Sequence, residues 1–350
     1  MKPSILELGR ATVAALALIA ASATQAGMGW TELPATDELG PVTIHYPTDE
    51  AERPTPVGPF VLQVAAAAVP VRGNGRLVVV SHGTGGSTWV HADLARALVR
   101  AGFVVALPLH RADNFRDRSD APGALQRRPQ EVSRTIDALG RDPRFAPLLS
   151  LDRVGVFGYS AGGHTALTLA GGRWSNDRFR RHCDEHLAED FAFCVGVITQ
   201  LDGGMLDGLK QSLARLVIGL RFRDETLHGH HDPRVAAVVS AAPAAAIFEP
   251  ASLAAPRVPL ALATAGQDRW LVPRFHAERV LQACASCERL VDLPTAGHGI
   301  YLAPPPPGLT GRLAELLGDP PGFDRSVLGA AHATIAGWFE RKLGDAEGAR

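Results

Sequence analysis

Short runs of β-branched and aliphatic residues alternate along the chain with longer stretches whose apolar positions recur at helical spacing. The short runs are residues 41–47 (PVTIHYP), 60–71, 77–81 (LVVVS), 103–109 (FVVALPL), 154–159 (VGVFGY), 235–241 (VAAVVSA), 258–264 (VPLALAT) and 289–293 (RLVDL). Most are continuously apolar rather than alternating, as strands buried on both faces must be. Helical patterns lie between them at 90–101, 129–139, 162–170 and 274–283, with a last one at 327–343. Gly102 stands where a helix C-terminus favours glycine. Strand and helix in regular alternation predict a mostly parallel, doubly wound α/β sheet occupying residues 27–350.

Residues 171–231 break that rhythm. They hold two of the four cysteines, an acidic–aromatic patch and an apolar helical stretch near 206–220, and read as a cap inserted over the carboxyl edge of the sheet. The proline-rich stretch 53–59 reads as a turn, and the proline run 304–307 as a stiff surface loop.

The first 26 residues have a different character. Lys2 and Arg10 precede an apolar run at 11–21, followed by the small-residue patterns Ala21-Ser22-Ala23 and Thr24-Gln25-Ala26. This is the layout of a secretory leader, with cleavage expected after Ala26. As a helix the run would span roughly 16 Å, well short of a ~30 Å hydrocarbon core. No later run is long enough to cross a bilayer, so a secreted, periplasmic protein without a stable membrane anchor is expected. In an oxidising compartment the four cysteines become candidates for disulfides. Cys284 and Cys287 are close enough in sequence to pair, which leaves Cys183 for Cys194.

Charge removes a further class of function. With 35 Lys and Arg against 36 Asp and Glu, the net charge is -1, so the cationic excess of a nucleic-acid surface is missing. A chain 46% hydrophobic and 20% charged is too apolar to stay disordered. The histidine groups 182/186 and 228/230/231 lack an H-E-x-x-H pattern and read as polar cap surface rather than metal ligands.

The chemistry lies in Gly158-Tyr159-Ser160-Ala161-Gly162, a G-x-S-x-G pattern between a predicted strand and a predicted helix. A turn this tight needs glycines two residues before and after the serine, and it lifts the serine hydroxyl clear of the sheet. A hydroxyl becomes nucleophilic when a base takes its proton, and the base needs an orienting carboxylate. Among 13 histidines, His298 follows the last predicted strand in the flexible segment Thr295-Ala296-Gly297-His298-Gly299. Asp268 follows the preceding strand, giving the chain order serine, acid, histidine. Backbone N–H groups for an oxyanion are expected from Ala161 and from Thr84, in the glycine-rich His82-Gly83-Thr84-Gly85-Gly86 after strand 77–81. That loop lacks the lysine of a phosphate-binding P-loop. Trp270 and Trp174 are candidates to line the pocket. Asp113-Asn114 reads as a turn.

Together these residues resemble the α/β-hydrolases. More narrowly they resemble the secreted "predicted dienelactone hydrolase" group related to the platelet-activating-factor acetylhydrolases, from about Gly40 onward. Gly75 to Gly83 and Asp232-Pro233-Arg234-Val235 belong to the same pattern. True dienelactone hydrolases carry a cysteine nucleophile where this chain has Ser160, so the resemblance implies the fold and a serine hydrolase without that substrate. The expectation is a cofactor-free carboxylic ester hydrolase acting on a small-molecule ester. The alternatives are a phospholipid acetylhydrolase-like or polyester-degrading enzyme and, from another class, a non-catalytic binding protein on the same scaffold.

Overall fold

The structure, a computed structural model, describes residues 27–305 and 310–344. The leader expected at 1–26 and part of the 304–307 proline run lie outside the described residues. Ten strands form one sheet: β1 (Gly27–Leu33), β2 (Val42–Thr48), β3 (Arg53–Val57), β4 (Phe60–Ala66), β5 (Leu77–Ser81), β6 (Val104–Pro108), β7 (Val154–Tyr159), β8 (Val235–Ala241), β9 (Leu260–Ala265) and β10 (Glu288–Leu293). Their order is β10-β9-β8-β7-β5-β6-β2-β1-β4-β3. From β10 to β6 every pairing is parallel, while β2 runs antiparallel to both β6 and β1.

Central strand β5 shows why both faces must be apolar. Val78 and Val80 enter one core, with α1 (Ala92–Arg100) over them, whereas Leu77 and Val79 enter the other. That second face is covered by α2 (Ala121–Arg141) and α3 (Ala161–Leu169). Alternate side chains leave a strand on opposite faces, so a strand covered twice is apolar on both, with Ser81 at its carboxyl end hydrogen-bonded to His110. The first core is completed by the C-terminal helix, described with its neighbours below.

The structure corrects three expectations from the sequence. The stretch 53–59 is not all turn: residues 53–57 are β3, paired antiparallel with β4. Pro54 and Pro56 are tolerated because β3 is the outermost strand, where missing N–H donors disturb no further neighbour. The strand expected over 60–71 stops at Ala66, since Ala67 adopts φ 55°. The helix expected at 129–139 starts at Ala121 instead. Asp120 caps it by accepting a hydrogen bond from Gly123 N–H (3.1 Å), and Pro129 is carried inside it. Strand β1 lay outside the expected set altogether.

The insertion after α3 contains α4 (Asn176–His186), α5 (Phe191–Val195) and α6 (Asp207–Arg221). It has a small core of its own, formed by Cys183, Leu187, Phe191, Cys194 and Ile218, and a disulfide joins Cys183 to Cys194. A second disulfide joins Cys284 to Cys287. The outer face of α6 leaves Leu206, Leu209, Leu213, Leu216 and Leu220 exposed at helical spacing. No helix among the described residues is long and apolar enough to cross a membrane. Beyond β8 come α7 (Pro250–Leu253), α8 (Ala277–Ala283), α9 (Gly311–Leu317) and α10 (Leu328–Leu343), and α10 packs beside α1.

Asp190 ties the insertion to the main body. Its Oδ2 accepts hydrogen bonds from Nε2 of His182 (2.7 Å) and Nε2 of His276 (3.0 Å). His276 Nδ1 in turn accepts from the N–H groups of Ala245 and Ala246. Burial alone would raise the Asp190 carboxyl, but the two imidazole donors outweigh it and hold it at about 2, down from 3.8. Because the folded-state pKa is depressed, the stability it contributes is present above pH ~4 and is lost as pH falls through about 2. At 1.36 kcal/mol per unit this is about 2 kcal/mol. Asp190→Asn is therefore expected to lower the melting temperature at neutral pH and to reduce the steepness of acid destabilisation between pH 4 and 2. Thermal melts of both proteins across that range check this.

Candidate active site

Strand β7 runs directly into Ser160, and α3 starts at the next residue. Ser160 has φ 57° and ψ -117°, a conformation that costs a non-glycine residue on the order of 1–3 kcal/mol. The neighbours hold it there. Ser160 N–H donates to Ala241 O on β8 (3.0 Å), and Ser160 O accepts from the N–H groups of His164 and Ala244 (3.1 Å each). Two glycines make room for the turn. A Cβ on Gly158 would lie 1.9 Å from Gly162 O, and one on Gly162 would lie 1.9 Å from Ser81 O.

The loop after β10 brings His298 to the serine, with Nε2 3.1 Å from Ser160 Oγ. On its other side, His298 Nδ1 lies 2.6 Å from Asp268 Oδ2. The second carboxylate oxygen of Asp268 accepts from the N–H groups of Trp270 (2.8 Å) and Leu271 (2.9 Å), so the acid cannot swing away from the imidazole. The loops bearing Asp268 and His298 are joined by hydrogen bonds from Gly266 N–H to Leu293 O and from Gln267 N–H to Ala296 O, 2.9 Å each. The Tyr159 hydroxyl donates to His298 O (2.8 Å). Burial pushes that phenol well above its usual range, so it keeps its proton and remains a donor. Asp268 and His298 are both nearly buried.

Ala161 is the first residue of α3, where helix N–H groups have no intrahelical partner. Thr84 lies in the loop after β5, one residue beyond Gly83, where an added Cβ would stand 3.3 Å from Ser160 Cβ. Trp270 is half-buried next to Asp268. Trp174 is buried among His164, Phe248 and His228, at the seam between α3 and the insertion. Among the described residues no group of three or more His, Cys, Asp or Glu is placed to hold a metal ion.

The sequence reading missed a buried polar cluster beneath the glycine-rich loop. Arg128 of α2, fully buried, donates from Nη1 to His82 O and from Nη2 to Gly83 O (3.2 Å), Asp113 O (3.3 Å) and Asp113 Oδ2 (2.7 Å). Asp113 Oδ1 accepts from Gly85 N–H (2.9 Å), so Asp113 is a strut of this loop rather than a simple turn. His82 Nε2 accepts from His110 N–H (3.1 Å), which leaves Nδ1 to donate to Gly83 O (2.7 Å). Burial, the neighbouring imidazole of His110 and the Arg128 charge hold His82 well below its usual range, in keeping with that neutral tautomer. Beyond it, His110 contacts Ser81 Oγ (2.8 Å) and Glu131 Oε2 (2.5 Å). The one sequence signal was the position of Asp113, just past the carboxyl end of a parallel strand, where such folds collect their ligands.

Searches against family models and against curated proteins return no match. By structure, the chain is similar to a ferulic acid esterase from Streptomyces cinnamoneus, with a TM-score of 0.58 and 18% identity over 92% of this chain and 91% of that one. At that identity the likeness speaks for the architecture. The chain has the α/β-hydrolase fold.

The packing at the elbow leads to a direct test. Gly162→Ala forces a methyl group against backbone on a neighbouring strand and is expected to cost about 3 kcal/mol or more, or to prevent folding. Gly219→Ala in α6, where an added Cβ meets nothing within 4 Å, is expected to be stabilising by about 0.5–1 kcal/mol. Urea unfolding midpoints of the two variants and the wild type compare them.

Proposed function

We propose that the protein is a serine hydrolase that cleaves carboxylic esters through an acyl-enzyme intermediate. The observation that carries this reading is the single imidazole of His298 hydrogen-bonded to Ser160 Oγ on one side and Asp268 on the other. In this reading, Ser160 Oγ attacks the ester carbonyl carbon while His298 Nε2 takes its proton. Asp268 orients the ring and stabilises the imidazolium. The carbonyl oxygen becomes an oxyanion received by the N–H groups of Thr84 and Ala161. His298 protonates the departing alkoxide, then deprotonates the water that releases the acid. Every step uses this chain's own residues.

The two disulfides support a protein that reaches an oxidising compartment, in line with the secretory leader read at 1–26. The similarity to a ferulic acid esterase supports ester chemistry in general and leaves the acyl group open. A narrower reading, with an ester held in a lipid or polymer surface as substrate, is favoured by the exposed leucine face of α6. An apolar stripe of that kind is unusual on a freely soluble domain.

Turnover of p-nitrophenyl esters from acetate to palmitate by the protein from Gly27 onward tests both. Ser160→Ala is expected to remove activity by about 10⁴-fold or more while leaving the fold intact, and Asp268→Asn to reduce kcat by about 10⁴-fold. A peak at short chains supports a small ester, and a peak at long chains supports the surface reading. Equal rates from wild type and folded Ser160→Ala would overturn the hydrolase reading in favour of a binding protein.

A further inference from the structure

The cluster beneath the glycine-rich loop is arranged around peptide orientation. All described peptides are trans, and in a trans peptide the C=O and N–H point in opposite directions. Gly83 O is held by three donors, His82 Nδ1 (2.7 Å), Gly86 N–H (3.1 Å) and Arg128 Nη2 (3.2 Å). The N–H on that same peptide belongs to Thr84, and it must point away from Arg128. The preceding peptide is held the same way: His82 O faces Arg128 Nη1, so Gly83 N–H also points outward. Gly83 is the residue that passes beside Ser160. A buried guanidinium is costly unless its charge is paired and its donors used. Here Asp113 supplies the pairing through Oδ2 and also accepts at its carbonyl, and the two Nη groups reach the carbonyls of His82 and Gly83, while Nε has no hydrogen-bond partner.

We propose that Arg128, braced by Asp113, is the positioning residue of the oxyanion site: by drawing the carbonyls of His82 and Gly83 inward, it fixes the Thr84 N–H opposite the Ala161 N–H. This rests on the ester-hydrolase reading above and adds to it a residue on α2 that never touches substrate. Arginine suits the task better than lysine because its planar fork donates in two fixed directions at once, to two successive carbonyls.

The test uses Arg128→Lys in the otherwise complete protein, with two readouts. The first is turnover together with inhibition by an alkyl trifluoromethyl ketone. Ser160 Oγ adds to the ketone carbon, His298 takes the proton, and the carbonyl oxygen becomes an oxyanion. The second is amide hydrogen exchange of peptides spanning residues 82–86, which requires no catalysis. The expected result is a folded variant whose kcat falls by about 10²-fold, the size of losing one oxyanion donor, with KM changed less than about threefold. Affinity for the ketone should fall in parallel with kcat, and the 82–86 amides should exchange faster. Asp113→Asn, which retains an acceptor for Gly85 N–H but removes the charge partner, should shift both readouts in the same direction by less. It also serves as the deciding variant if Arg128→Lys fails to fold.

A folded variant with unchanged kcat and ketone affinity overturns the proposal, as does a change confined to KM. A fall in kcat with unaltered exchange at 82–86 also overturns it, because the loop would then be held by something else. If the wild type shows no Ser160-dependent turnover, the ester-hydrolase reading fails and the oxyanion role fails with it. Exchange at 82–86 then still decides whether Arg128 holds the loop.

Discussion

One strained residue organises the site. Ser160 stands at the carboxyl end of a buried parallel strand in a backbone conformation that a side chain tolerates poorly, and the surrounding structure is built so that no easier one is available. Its N–H and C=O are engaged by β8, the segment that follows it and α3, and the glycines on either side let β7 and α3 approach to backbone contact. Relaxing the turn would break those hydrogen bonds together. The hydroxyl is thereby held at one point in space, and the loops after β9 and β10 bring the Asp268 carboxylate and the His298 imidazole to that point. A doubly wound sheet suits this arrangement because its parallel strands all end their carboxyl edges on the same side.

Two polar systems meet at the serine and are kept electrically distinct. On one side, Asp268 and His298 form a linear chain in which every acceptor has a donor. On the other, the Arg128 charge is compensated by Asp113, while the adjacent imidazoles of His82 and His110 are held neutral by burial and by that same cation. A low-dielectric interior makes such a network stiff when it is satisfied and expensive when it is not. The insertion is held by a third set, His182, Asp190 and His276, the last of them in the segment between Asp268 and α8.

What was legible in the sequence follows from locality. Strands β5, β7 and β8 were bounded correctly because each is an unbroken apolar run between turn-forming residues. The Ser160 turn was legible because its glycine pattern is local in sequence, and the placing of Asp268 and His298 in loops because each follows its own strand. Strand β3 was hidden because Pro54 and Pro56 argue against a strand unless the strand is known to be at an edge, which is a fact of tertiary structure. The start of α2 was hidden for a similar reason, Pro129 reading as a beginning where the chain uses it as an interior residue. Arg128 left no trace, since its role exists only where α2 crosses beneath the loop after β5. The packing of Trp174 against His164 and His228 was not legible, because an aromatic residue at the start of an insertion looks the same in sequence whatever it packs against.

The bond from the Tyr159 hydroxyl to His298 O spans 139 positions of chain, and the contact of His298 with Ser160 spans 138. Between them the chain must build the insertion, β8, β9 and β10. Contacts so remote in sequence carry a large closure entropy and form late, after more local pairings are in place. The contact of His298 with Ser160 therefore requires β8, β9 and β10 to be in place between them. A chain that has formed only the segments up to α3 therefore has neither the β8 partners that hold the Ser160 turn nor the side chains of Asp268 and His298, and all of them reach Ser160 together with the second half of the sheet.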